Sequence, residues 1–326
     1  MAEIVTVTLN PAIDLSASVG KVVPVRKLRC GPSRCDPGGG GINVARVLKR
    51  LGVAVEAVYP IGGFPGRALL QMIEREGVAS RPIEIAGETR EDMHITDEST
   101  GEQFRFVFPG PELSAIEWHR ILAAVETMTP APRIVVGSGG LALGVPDDFY
   151  LRLALICRQI GARFMLDTYG PSLRRAIGQG LTLVKPNQRE FGELIGRPLD
   201  DPAEIAAEAN ALVEQGAADC MVVTLGEDGA VLATGDAAWF SPPIPVTVTS
   251  AVGAGDSFMG SMVAALAKGK PIEEAFRYGC AGGAATLMRT GTELCLADDV
   301  ERLLPQIELT PLIEQRFAAK PARVRG

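Results

Sequence analysis

Histidine is almost missing from this chain. His94 and His119 are the only two in 326 residues, and they are far apart, so no H-E-x-x-H zinc helix exists. No G-x-x-x-x-G-K-[ST] run occurs, which excludes a P-loop nucleotide site, and no G-x-S-x-G elbow marks a serine hydrolase. An excess of basic residues is lacking too. Lys plus Arg is 32 against 39 Asp plus Glu, a formal charge of -7, so no global field favours nucleic acid or an anionic membrane as partner. No apolar run approaches the ~18 residues of a membrane span. The start, Met1-Ala2-Glu3-Ile4-Val5, has neither the basic nor the apolar region of a signal peptide, which sets a cytoplasmic expectation. Cysteines are few and form no C-x-x-C pair: Cys30, Cys35, Cys157, Cys220, Cys280 and Cys295 are expected as buried small hydrophobes in a reducing compartment.

What is there is the composition of a folded protein, 47% hydrophobic and 22% charged, long enough for one large or two modest domains. Strand-like runs at Ile4–Leu9, Val53–Pro60, Arg133–Gly137, Arg163–Asp167, Leu181–Lys185, Cys220–Leu225 and Ala230–Thr234 are nearly continuous in apolar residues, as strands covered on both faces require. Helical patterns lie between them: Asn43–Leu51, Arg67–Glu76, Ser114–Met128, Asp147–Gln159, Pro171–Gly178, Gln188–Leu194 and Pro202–Gln215. Ser114 and Asp147 stand at N-cap positions, Ser114 with Glu117 as a capping box. Repeated β-α-β units predict a parallel, doubly wound α/β sheet with helices on both faces. Two segments break the pattern. Leu15–Asp36 is polar and β-prone, and His94–Phe108 reads as a hairpin around Glu98-Ser99-Thr100-Gly101. They form either a small separate sheet set on the core, an exposed hairpin, or an edge extension of the main sheet. The Pro- and Arg-containing end after Gln306 (Lys320, Pro321, Arg323, Arg325) reads as a frayed tail.

Chemistry concentrates in Ser250-Ala251-Val252-Gly253-Ala254-Gly255-Asp256-Ser257, ahead of the apolar helix Phe258–Ala267. Two glycines at a helix start leave backbone N–H groups open, and that end carries partial positive charge. An Asp in that turn can take a proton from an attacking hydroxyl while the N–H groups steady a transferring phosphoryl group. Alone, the segment fits equally well an ordinary Asp at a helix start behind flexible glycines.

Gly253-Ala254-Gly255-Asp256 resembles the G-A-G-D signature of the ribokinase-like (pfkB) carbohydrate kinases. Three more elements resemble that family, in order: Pro37-Gly38-Gly39-Gly40-Gly41-Ile42-Asn43-Val44-Ala45, Lys185-Pro186-Asn187-Gln188-Arg189-Glu190 and Thr224-Leu225-Gly226-Glu227-Asp228-Gly229. The resemblance spans about residues 1–305. It implies a three-layer α/β/α core from residues 1–14, 37–88 and 109–305. A β-sheet lid of residues 15–36 and 89–108 serves as a dimer clasp, and residues 306–326 form the tail. Lys27-Leu28-Arg29-Cys30, the four-glycine run and Gly101-Glu102-Gln103-Phe104-Arg105-Phe106 are similar to the 6-phosphofructokinase branch. The branches acting on fructose 1-phosphate and on tagatose 6-phosphate are near neighbours. The former usually carries a Lys where this chain has Gly40.

The resemblance implies transfer from ATP to the C1 hydroxyl of fructose 6-phosphate. Asp256 is then the base, and Gly253, Ala254 and Gly255 are the anion hole. Asp14, Gly38, Gly39, Gly40, Gly41 and Asn43 hold the sugar; Lys27, Arg90 and Arg105 hold its phosphate. Ser138 matches a family Ser in a shorter loop than Gly139-Gly140-Leu141-Ala142-Leu143-Gly144. Lys185, Asn187, Thr224, Gly226, Gly229, Cys280, Gly283 and Ala284 take ATP, and Glu190 with Asn187 holds Mg²⁺ through water. Ser250, Val252, Thr286, Arg289 and Gly291 offer oxygens for K⁺, although Ala251 and Val248 stand where relatives carry polar residues.

Two rival readings remain. Val135-Val136-Gly137-Ser138-Gly139-Gly140-Leu141-Ala142 matches a dinucleotide fingerprint, but Pro146 stops a helix from leaving those glycines directly. A sugar-phosphate-binding regulator without catalysis would not need Asp256.

Overall fold

The computed structural model describes residues 3–313. In chain order its strands are β1 (Ile4–Val7), β2 (Ala12–Val19), β3 (Arg34–Gly38), β4 (Val55–Ile61), β5 (Ala79–Glu84), β6 (Arg90–Asp97), β7 (Gln103–Phe106), β8 (Ile134–Ser138), β9 (Arg163–Asp167), β10 (Leu181–Val184), β11 (Cys220–Thr224), β12 (Ala230–Ala233), β13 (Ala238–Ser241) and β14 (Thr310–Ile313). The helices are α1 (Gly40–Arg50), α2 (Gly63–Arg75), α3 (Ala115–Glu126), α4 (Phe149–Ile160), α5 (Gly170–Ala176), α6 (Gln188–Ile195), α7 (Pro202–Glu214), α8 (Ala254–Ala267), α9 (Ile272–Leu287) and α10 (Ala297–Leu303).

The large sheet has the order β14-β13-β12-β11-β10-β9-β8-β1-β4-β5. From β5 to β11 it is parallel; β12, β13 and β14 extend it antiparallel. Alternate strand residues feed opposite cores. Val5, Val135 and Val223 pack with Trp118, Phe149 and Phe191 on one face. Ile4, Val136 and Val222 pack with Ile42, Met259 and Phe276 on the other. This is the three-layer, doubly wound arrangement that the continuous apolar strands predict. β1 lies between β4 and β8, so the winding reverses at β1 and β8, and their carboxyl ends open a crevice.

The two irregular segments do form a separate sheet, ordered β3-β2-β6-β7. Its register puts Leu15, Cys35, Met93, Ile95, Phe104 and Phe106 on one side and Asp14, Asp36, Asp92, His94 and Arg105 on the other. No helix among the described residues is long and apolar enough to cross a membrane.

Several expectations need correction. α1 and α8 start three and four residues before the expected Asn43 and Phe258, because glycines open both helices. The expected N-cap Asp147 is displaced by its neighbour Asp148, whose carboxylate binds Arg152 rather than capping. Residues after 305 were expected outside the core, yet Thr310–Ile313 adds the last strand, paired with β13. The remainder of the tail, with Lys320, Pro321, Arg323 and Arg325, lies outside the described residues. Cys157, Cys220 and Cys295 are buried and Cys280 partly so, but Cys30 and Cys35 are exposed: both belong to the small sheet's segment, Cys30 on the loop between β2 and β3 and Cys35 on the open apolar side of β3.

Candidate active site

Residues that the resemblance assigns to the sugar meet near the β1/β8 crevice. Asp14 follows from β1 into β2, and the glycine run turns from β3 into α1. A Cβ on Gly38 would run into the Asp14 carboxylate, and one on Gly40 into Ser138 Oγ, so these backbones approach only because both side chains are absent. Asn43, in the first turn of α1, donates from Nδ2 to Asp256 Oδ2 at 2.9 Å. Asp14, Gly38, Gly40, Asn43, Ser138 and Asp256 thus converge from four stretches of chain.

Asp256 sits in the first turn of α8, whose N-cap Gly253 is left-handed at φ 77 and provides no side chain to the open N–H groups. Burial pushes the Asp256 carboxyl up, and the charges of Asp167 and Asp14 add to it. The Asn43 hydrogen bond and Lys185 oppose this, leaving it at about 7. A carboxylate there is a far better proton acceptor than an ordinary Asp.

A cleft of about 710 Å³ meets this point from the other side. Its wall contains Lys185, Asn187, Glu190, Thr224, Gly226, Gly229, Cys280, Gly283 and Ala284, together with Ala254 and Gly255 of the α8 turn. Every residue assigned to ATP by resemblance therefore lines one cavity. Ile244, Val246, Phe258 and Leu287 supply an apolar end suited to a flat base, and burial holds the Cys280 thiol up at about 12, uncharged. Lys185 Nζ, buried, pairs with Asp167 Oδ2 at 2.9 Å.

Asn187 and Glu190 have a second task. Asn187 Oδ1 accepts from the Glu190 backbone and Glu190 Oε2 from the Asn187 backbone, both at 2.9 Å, capping α6. Burial pushes the Glu190 carboxyl up. Glu190 and Asp167 both line the cleft. Hard oxygens of this kind suit Mg²⁺ that keeps most of its waters.

Of the five residues assigned to a monovalent cation, Ser250 donates to the Gly291 carbonyl at 2.7 Å and accepts from Val252 N. Thr286 Oγ1 is occupied by Gly282 O and Cys295 N, and Arg289 pairs with Asp299. Backbone oxygens are thus what this corner has to offer a cation.

The three cations that the resemblance assigns to the sugar phosphate are dispersed. Arg90 is anchored beside the site, to Asp92 at 2.8 Å and to the carbonyls of Asn10 and Phe108. Arg105 lies directly across from His94 on the polar side of the lid and is exposed. Lys27 is exposed on the loop between β2 and β3.

Three side chains at the site were not singled out by the sequence reading. Asp167 ends a parallel strand on the ligand-binding edge, a position that could have marked it. His94 is buried, 3.7 Å from Asp14 Oδ1, with neither ring nitrogen hydrogen-bonded. Arg46, buried behind Asn43, gave no signal beyond an Arg on an apolar helix face.

The pattern of the pfkB family of carbohydrate kinases matches residues 1–299. The ATP-dependent 6-phosphofructokinase isozyme 2 of Mycobacterium tuberculosis is 42% identical over 299 residues, covering 92% of this chain and 88% of that one. The 1-phosphofructokinase of Bacillus subtilis is 34% identical, covering 95% and 100%. Among solved structures, phosphofructokinase-2 of Escherichia coli in complex with potassium superposes with a TM-score of 0.88 at 37% identity, covering 94% and 99%. The same enzyme also has a tetrameric inhibited form.

Proposed function

The chain belongs to the pfkB family of carbohydrate kinases, and from that premise we propose that it is a 6-phosphofructokinase, converting ATP and fructose 6-phosphate to ADP and fructose 1,6-bisphosphate in the cytoplasm as a step of glycolysis. The observation that carries this reading is Asp256, in the first turn of an uncapped helix, hydrogen-bonded to Asn43 on one side and next in the chain to Gly255, which lines the nucleotide cleft.

Asp256 takes the proton of the C1 hydroxyl as that oxygen attacks the γ-phosphorus. Asn43 keeps its acceptor oxygen in place. The N–H groups of Gly255 and its neighbours meet the charge on the equatorial phosphoryl oxygens, and Lys185 meets the phosphates from the side. Glu190 with Asn187 would hold Mg²⁺ through water, and the ion would supply positive charge against the nucleotide phosphates. Backbone oxygens around Ser250, Val252 and Gly291 would hold K⁺, and the N-terminal turn of α8 follows directly on them, so added K⁺ is expected to raise kcat.

Gly40 supports the 6-phosphate reading over the 1-phosphate one. Its neighbour Ser138 fills the space in which a longer side chain would start. The direct test is ADP release with fructose 6-phosphate, fructose 1-phosphate and tagatose 6-phosphate, compared by kcat/KM. Fructose 6-phosphate should be preferred; a higher value for fructose 1-phosphate would overturn the assignment.

Arg105→Ala should raise KM for fructose 6-phosphate by roughly 10–100-fold, about 1.4–2.8 kcal/mol of a charge-assisted contact, and leave KM for ATP unchanged. Equal losses with unphosphorylated fructose would show that Arg105 does not read the phosphate.

The lid carries an apolar face in the open. Met93, Phe104 and Phe106 are 40%, 37% and 49% exposed, adjoined by Leu15 and Ile95. A second copy of the chain, lid against lid, covers it. Sedimentation of wild type should show a dimer and Phe104→Asp/Phe106→Asp a monomer; a wild-type monomer at assay concentration would refute the clasp.

A further inference from the structure

Arg46 is 1% exposed, yet it is a cation without an enzyme role in the reading above. It lies one turn beyond Asn43 on α1, so the two share a face. Its Nε donates to both carboxylate oxygens of Glu76, at 2.9 and 3.0 Å, and its Nη2 to Glu76 Oε1 at 2.6 Å. Glu76 caps the end of α2. The remaining nitrogen, Nη1, donates to the carbonyl of Pro37, just before the glycine run, at 2.8 Å, and to Asn43 Oδ1 at 3.1 Å. Asn43 in turn donates from Nδ2 to Asp256.

The two ends of an asparagine amide have nearly the same shape, and only their partners decide which way it faces. A guanidinium has donors and no acceptor, so it admits only the amide oxygen. The nitrogen must then face Asp256. We propose that Arg46, braced by Glu76, is a positioning residue for phosphoryl transfer: it locks the Asn43 amide with its N–H toward the Asp256 carboxylate and ties that orientation to the Pro37 end of the sugar loop. This inference rests on Asp256 being the base.

Without the lock the amide turns freely. In its reversed state a carbonyl oxygen faces the carboxylate, which favours the protonated, inactive form. The charged groups around Asp256 are Asp14 from β2, Asp167 from β9 and Lys185 after β10. Arg46 touches none of these three and acts on Asp256 through Asn43.

The test is Arg46→Lys, whose single ammonium can pair with Glu76 and has no second arm for Asn43. We expect the acid limb of kcat/KM against pH to move up by roughly a unit, kcat at pH 7 to fall by roughly 10-fold, and both KM values to stay within about 3-fold. Should Arg46→Lys not fold, Glu76→Gln, at the half-exposed brace, gives the same readout with a smaller upward shift. A folded variant with a lowered Tm and an unmoved acid limb would overturn the proposal, since a purely structural arginine changes stability without changing the titration. The base assignment fails separately, through near-normal turnover of Asp256→Asn.

Discussion

Asp256→Asn is expected to lower kcat by roughly 10²–10⁴-fold, with both substrates still bound. The amide keeps the shape of the carboxyl and still packs in the first turn of α8, but it cannot accept the hydroxyl proton. Near-normal turnover would remove Asp256 from the chemistry. The same variant should be more stable than wild type above neutral pH. Burial and neighbouring carboxylates raise the Asp256 carboxyl from 3.8 to about 7 in the folded chain. A folded value above the unfolded one means that the native state binds the extra proton between those limits, so wild type loses stability as pH rises from about 4 to 7. Above pH 7 the cost is fully present, about 4 kcal/mol before water in the cleft reduces it. Asparagine carries no such cost. Thermal melts should therefore show Asp256→Asn above wild type at pH 8, with the gap closing toward pH 5. A gap independent of pH would show that the carboxylate is not strained in the native state.

The second large effect is expected at Lys185. Lys185→Met should raise KM for ATP by roughly 100-fold, by loss of the ammonium that meets its phosphates. It should also destabilise the fold by about 3–5 kcal/mol, because Asp167 would be left as an unpaired carboxylate where burial already pushes its carboxyl up. The two effects separate in the double variant Lys185→Met/Asp167→Asn. Its melting temperature should recover and its KM for ATP should not. Recovery of both would mean that the lysine serves only the ion pair.

How much of this could be read from the sequence depends on how local each determinant is. The Ser114 capping box and the glycine-opened start of α8 involve residues within one turn, and both are present as the sequence implies. The inward strands declare themselves by apolar runs. The edges do not: β5 includes Pro82 and is half-exposed, and β14 takes its identity from pairing with β13 rather than from its own four residues. α9 was missed because Gly279, Gly282 and Gly283 weaken its helical signal. Gly279 and Gly282 are there so that α8 can press Phe258 and Ser261 against them. The site follows the same rule. Its motifs are legible because each is a short backbone device. Asp167 and Arg46 matter through Lys185, Glu76 and Asn43, partners brought near only by the fold, and His94 through a strand pairing with β2.

The lid sheet has its two faces on the same strands, residue by residue. Along β6, Asp92 and His94 face the sugar crevice while Met93 and Ile95 form the open apolar surface. Substitution can therefore change the polar face and the apolar face independently. A change of length cannot. One residue added to β6 would exchange its two sets at a stroke, turning charge outward and apolar side chains toward Asp14. The length of β6 is therefore the constraint on this sheet, and the exposed loop between β2 and β3 lies outside its register.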